Sequence, residues 1–198
     1  MNTKTVVDNY TAYRWFFTSS NKLVVGGKSA EQNELVLKAF LKSDFPVMHT
    51  TKPGSGFMIL LSDRWNREDL QEMASFCGCF SQQWKKVKKG EKISVDLFMG
   101  RQLYKTKDMK LGTYGVRGEK ETFQVMPELV LVRQKNMLRA VPAWKGMKQE
   151  EYYVGIGVGT LSKLQAVEQL VKRLQKQKLS ITQEEILQAL PSDKIKIL

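Results

Sequence analysis

Gly26-Gly27-Lys28-Ser29 follows an apolar run and precedes a helical pattern. Backbone amides at such a helix start, beside a lysine, are placed to hold a phosphate. The full phosphate-loop pattern fails, because it needs a glycine where Lys22 stands. A plain turn and helix cap is the competing reading. His49 is the single histidine, and with Asn33, Asp44 and Ser55 it would form the pocket of an RNA-processing or RNA-modifying enzyme. No convincing nucleophile or metal set accompanies it, and a lone histidine at a strand end is ordinarily structural. Cys77 and Cys79 lie in a helical stretch, where residues two apart face different ways, so one buried and one incidental thiol are expected. With His49 they are too few for a closed zinc site; no metal or cofactor is called for. Gly155-Ile156-Gly157-Val158-Gly159 misses the dinucleotide pattern in both registers, and is read as glycines that let a strand pack under a helix.

The strongest signal is basic. From Trp84 to Lys120 eleven Lys and Arg face four acids, a net of +7 out of +12 for the chain, so more than half of the excess charge falls in under a fifth of the length. Trp84, Phe98, Tyr104 and Tyr114 are interleaved with these cations, as stacking on unpaired bases requires. A solvated face with core aromatics is the alternative.

These residues need elements to position them. A hairpin is expected over 13–27, then a helix opened by Ser29 and Gln32 as a capping box, with Leu35, Val36, Ala39 and Phe40 on one face. Strands at 45–50 and 57–61 flank the turn-rich Lys52-Pro53-Gly54-Ser55-Gly56. Asn66 opens an amphipathic helix carrying Leu70, Met73, Phe76, Cys77, Phe80 and Trp84. Strands follow at 93–99, 114–116, 121–126, 129–132, 137–141 and 152–158. Thr160 then caps a helix with the stripe Leu161, Leu164, Val167, Leu170, Val171 and Leu174, and Thr182 with Glu185 opens another that Pro191 stops. The pattern is α+β: a mixed, largely antiparallel sheet with packed helices over 1–159, and a helical C-terminal tail over 160–198.

With 198 residues, 42% of them hydrophobic, the chain buries a real core and needs no disulfide framework. A net charge of +12 suits a polyanionic partner. The apolar stretches fall far short of a membrane span, residues 1–8 hold no signal-peptide core, and two cysteines fit a reducing, cytoplasmic setting.

Three blocks resemble a known family. Tyr13-Arg14-Trp15-Phe16-Phe17-Thr18-Ser19 through Gly26-Gly27-Lys28-Ser29 to Gln32-Asn33-Glu34 is similar to a W-F-x-[ST] hairpin, glycine pair and Q-N-E helix start. His49-Thr50-Thr51-Lys52-Pro53-Gly54-Ser55 resembles a His-containing strand end with a P-G-S turn, and Ala74, Ser81 and Trp84 through Gly112-Thr113 to Arg117-Gly118 complete the order. Together they resemble the NFACT-R domain of ribosome-associated quality-control proteins, over about residues 10–158. Two departures, Thr51 where the family is often acidic and Val47 where it is often aromatic, argue against chemistry at His49. The resemblance implies RNA binding without catalysis, with tRNA or rRNA as partner and the large ribosomal subunit as a further expectation. Gly26, Gly27, Lys28, Asn33, His49, Lys52, Ser55, Lys85, Lys86, Lys88, Lys89, Arg101, Lys105 and Arg117 are the expected contacts, with Trp84 or Tyr104 stacking on a base. Rival readings are the enzyme at His49, DNA binding through the same face, and an adaptor that docks a protein through 160–198.

Overall fold

In the computed structural model residues 9–198 are described; the stretch 1–8, read above as free of a signal-peptide core, lies outside the described residues. Six antiparallel strands form the first sheet: β1 (Arg14–Phe17), β2 (Leu23–Gly26), β3 (Pro46–Thr50), β4 (Met58–Leu60), β5 (Ile93–Met99) and β8 (Glu121–Val125), in the order β1-β2-β4-β3-β5-β8. Strands β1, β2 and β4 read as nearly continuous apolar runs because both their faces are covered, whereas β8 alternates exposed and buried residues. Trp15, Val25, Val47, Ile59 and Phe98 line one face, which Val36, Leu37 and Phe40 of α1 (Ala30–Phe40) close. Phe16, Val24, Met48, Met58 and Leu97 line the other, covered by α2 (Arg67–Cys79).

The second sheet has the order β10-β9-β11-β12, from β9 (Glu128–Gln134), β10 (Met137–Val141), β11 (Val154–Leu161) and β12 (Ile195–Ile197). Helix α2 packs against β9 as well as the first sheet, so one core runs through both sheets. The four-residue α3 (Gln83–Lys86) follows it, and α4 (Lys163–Lys176) and α5 (Gln183–Ala189) cover the second sheet. A two-stranded ribbon joins β6 (Leu103–Tyr104) to β7 (Gly115–Val116). The α+β class and the antiparallel pairing agree with the sequence reading.

Several local expectations are corrected. Leu35 and Ala39 are exposed and Leu37 is buried, since α1 lies a step round from the predicted stripe. Ser29 accepts from the Gln32 amide, but the Gln32 side chain reaches past the cap to the Lys28 amide at 3.0 Å. Helix α2 ends at Cys79, leaving Trp84 on α3. Both cysteines are buried, because α2 is enclosed by two sheets; burial pushes the Cys77 thiol up to about 12 and raises Cys79 as well. Ser162, not Thr160, caps α4, with Gln165 completing the box, and Leu164 points outward. The glycines of β11 meet a strand rather than a helix: a Cβ on Gly159 would lie 2.6 Å from Lys196 Cβ. Beyond the two helices the C-terminal segment adds β12, paired with β11.

Candidate nucleic-acid interface

A cavity of about 650 Å³ opens where the β2–α1 turn, the end of β3, the 53–57 loop and the α2–α3 joint converge. Gly27, Lys28, Asn33, His49, Ser55 and Lys85 all line it. Glycine at 27 is a matter of space: a Cβ there would stand 2.3 Å from Asn33 Oδ1 and 2.7 Å from its amide nitrogen. Buried Asn33 accepts from the Phe57 amide at 3.2 Å, fixing the loop that forms the far wall. Gly54 takes a φ of +120° at the turn, a conformation that glycine adopts without a side-chain clash, and its carbonyl accepts from the Gln82 amide at 2.7 Å. Turn and joint are thereby locked together.

The polar groups of the cavity are largely engaged with the protein. Gly26 is buried behind the wall, with no room for a Cβ against Met58. The Lys28 amide is taken by Gln32, which removes one of the amides expected to grip a phosphate; its ammonium donates to the Ala12 carbonyl at 3.1 Å. Ser55 Oγ accepts from the Thr50 amide at 2.9 Å. His49 Nδ1 lies 2.7 Å from the Thr50 carbonyl, and burial holds the imidazole below its ordinary pKa, which favours the uncharged ring. Asp44, expected in the same pocket, pairs with Arg101 at 3.2 Å and does not line the cavity.

The basic segment divides. Lys85 lines the cavity; Lys52, Lys86 and Lys92 line an adjoining groove that shares Thr51 with it. Lys88 and Lys89 are exposed on the following loop. The other expected contacts stand apart from the cavity. Lys105 is paired with Glu34, and the Arg117 guanidinium sits 4.4 Å from the Tyr104 ring centre, so each already has a partner within the protein. Trp84 is fully buried and donates from Nε1 to the Asp193 carbonyl at 2.9 Å; stacking on a base is excluded for it. Phe98 is buried too.

Among the cavity residues that sequence reasoning did not place in the site are Arg14, Asp96, Lys120, Pro191 and Ser192. Asp96 stands opposite His49 across the β3–β5 ladder and accepts from Lys120 at 2.5 Å, Thr122 at 2.7 Å and Thr51 at 2.8 Å. Burial alone would raise its pKa, but these three donors outweigh it and hold the carboxyl below the usual range. Strand alternation carried the signal for Arg14, a cation on the same strand face as apolar Phe16. Nothing local announces Pro191 and Ser192, whose place follows from the packing of the C-terminal segment.

Comparison with known proteins agrees with this arrangement. Residues 12–118 match the family described as the NFACT protein RNA binding domain. An archaeal Rqc2 homolog from Methanocaldococcus jannaschii is 27% identical over 126 residues, covering 60% of this chain and 18% of that protein. A ribosome quality control complex subunit NEMF homolog from Drosophila melanogaster is 33% identical over 51 residues, 26% of this chain and 5% of its own length. The chain thus spans under a fifth of the length of these curated relatives. The C-terminal part of the fibronectin/fibrinogen-binding protein from Streptococcus suis shares the fold, with a TM-score of 0.51 at 21% identity over 58% of this chain and 45% of that one. Among the described residues no helix is long and apolar enough to cross a membrane. With the hairpin, glycine pair, His-containing strand end and P-G-S turn folded around one cavity, and the family match spanning more than half of its length, the chain belongs to the NFACT-R family of RNA-binding domains.

Proposed function

We propose that the protein is a non-enzymatic RNA-binding module that holds structured RNA, tRNA or rRNA, through its phosphates, in the cytoplasm and in the service of translation quality control. The observation that carries this reading is the continuity of the cavity, with Lys28 and Lys85, into the groove of Lys52, Lys86 and Lys92, with Lys88 and Lys89 beyond it. Such a track of cations suits a backbone more than a set of base edges. The relative named for ribosome quality control supports a link to the ribosome, and the large ribosomal subunit is the partner this reading expects. A second reading, docking of a protein partner through 160–198, is favoured by Leu164, two-thirds exposed on α4.

If about six of these lysines engage phosphates, log affinity falls with log salt at a slope of roughly −4 to −5. Crosslinking of the tagged protein in cells, followed by sequencing of the bound nucleic acid, tests the partner. Enrichment of tRNA or of one rRNA region is the expected result. Recovery of background nucleic acid with a defined protein, and a flat salt response, would overturn it in favour of docking. Recovery of DNA in place of RNA would leave the face and change the polymer. His49→Gln is expected to leave RNA affinity within about twofold, since the neutral ring contributes no ion pair; a turnover activity abolished by that change would favour the enzyme.

A further inference from the structure

Arg14 belongs to none of the contacts assigned so far. Its strand position puts it beside Phe16 over the end of α2, where its guanidinium lies 4.8 Å from the Phe80 ring centre and lines the cavity. Among the described residues no ion pair or hydrogen bond engages that guanidinium, and no acid offsets its burial. Its surroundings are cationic. Lys28 lines the same cavity and feels both Arg14 and Arg139; Arg139, on β10, already gives two hydrogen bonds to the Trp15 carbonyl. Burial and then Arg14 lower the pKa of Lys163, the first residue of α4, while Asp193 acts the other way. Two acids stand near these cations: Asp193, which accepts from the Lys163 amide at 3.0 Å and pairs with Lys85 at 3.6 Å, and Asp96, which lines the same cavity and is taken by Lys120.

Like charges held together at reduced dielectric repel one another, and the repulsion is relieved by an anion. Arg14 is suited to receive one: its guanidinium lies over the Phe80 ring, and a guanidinium offers a fixed fork of donors to a phosphate. We propose that a backbone phosphate of bound RNA sits against Arg14, between Lys28 and Lys163, so that residues 160–198 complete a site begun by the family-matched segment. Pro191 and Ser192 forming part of the cavity wall place that segment at the same opening. The proposal rests on the RNA-binding reading above.

The test is fluorescence anisotropy of labelled bulk tRNA with the full chain across a potassium chloride series. Arg14→Gln is expected to weaken binding at least about tenfold, the loss of one charge-assisted contact, and to reduce the salt slope by about 0.7 to 0.9. Lys163→Gln is expected to weaken binding about threefold to tenfold. Lys172→Gln, an exposed cation on the same helix, serves as control and should match the parent. Should Arg14→Gln fail to fold, Lys163→Gln decides alone. If the parent binds tRNA with a steep salt slope and neither substitution changes it, the phosphate seat is overturned while RNA binding stands. If the parent itself shows no salt-dependent binding, both fall.

Discussion

Glu34 accepts from the Lys105 ammonium, from the Gly112 amide at 2.8 Å and from the Tyr114 hydroxyl at 2.6 Å, which fastens the 105–114 loop to α1. The Lys105 contact, then the Tyr114 and Gly112 hydrogen bonds, pull its carboxyl down to about 2 from 4.5. A carboxyl depressed on folding adds stability that is complete above its unfolded value and fades as pH falls toward the folded one. The melting temperature of the parent should therefore decline between about pH 4.5 and 2 in part through Glu34. Glu34→Gln should be less stable at pH 7 and should flatten that acid limb; parallel curves for the two proteins would deny the carboxylate this role. The same residue explains what a charge count could not see. Lys105 and Arg101 stood out as cations because Glu34 lies 71 positions from the first and Asp44 lies 57 from the second, and such pairings have no local trace. Gly27, Lys28, Asn33, His49 and Ser55 were legible because turn chemistry and block order are local, although most of them build the wall of the site and do not supply its charge.

Hairpin and helix are joined in a way that gives the W-F-x-[ST] block its physical content. Thr18 Oγ1 donates to Asp69 Oδ1 at 2.6 Å, the Asn66 amide to Asp69 Oδ2 at 2.9 Å, and Lys22 pairs with the same oxygen at 2.9 Å. Asp69 is thus at once the capping-box partner of Asn66 in α2 and the dock for the β1–β2 turn. Its side chain is fully buried; burial would raise its pKa, but the hydrogen bonds from Ser20, Thr18 and Asn66 and the Lys22 contact outweigh this and lower it. Removing one partner of a buried charge pair typically costs about 3 to 5 kcal/mol. Asp69→Ala should lose stability on that scale, read as a lower urea midpoint, whereas Asn66→Ala should cost about 1 kcal/mol as a lost cap. Equal losses would mean that Asp69 acts only as a cap. The elements themselves were legible where their signals are short-range: the first hairpin, the Thr182–Glu185 box of α5, and strands β8 to β11. The facing of α1 and the start of α4 were not, because tertiary packing selects among several apolar stripes that the sequence permits, and β12 is too short to carry a pattern of its own.

At the scale of the whole molecule, the C-terminal helices expected as a tail share a core with the rest of the chain. Helix α2 gives its residues to both sheets, and Trp84 carries the connection further by burying its ring in the shared core while its Nε1–H reaches the Asp193 carbonyl, 109 positions away. On the far side the Lys194 ammonium donates to the Lys85 carbonyl at 2.7 Å, and β12 pairs with β11. The contacts that would have to break to separate residues 160–198 are therefore those of a core. We propose that the two sheets unfold as one cooperative unit, as a shared core of this size favours. Calorimetry should give a single transition whose calorimetric and van't Hoff enthalpies agree, and Trp84→Ala, at a cost of about 3 to 5 kcal/mol, should shift that whole transition downward without splitting it. Two transitions in the parent, or a Trp84→Ala profile in which only one part moves, would make the C-terminal segment an independent unit. A single transition would instead account for a cavity beside Phe80 that takes walls from residues 30 and 192 alike: it lies where the parts of one body meet, and its shape is set by the core that joins them.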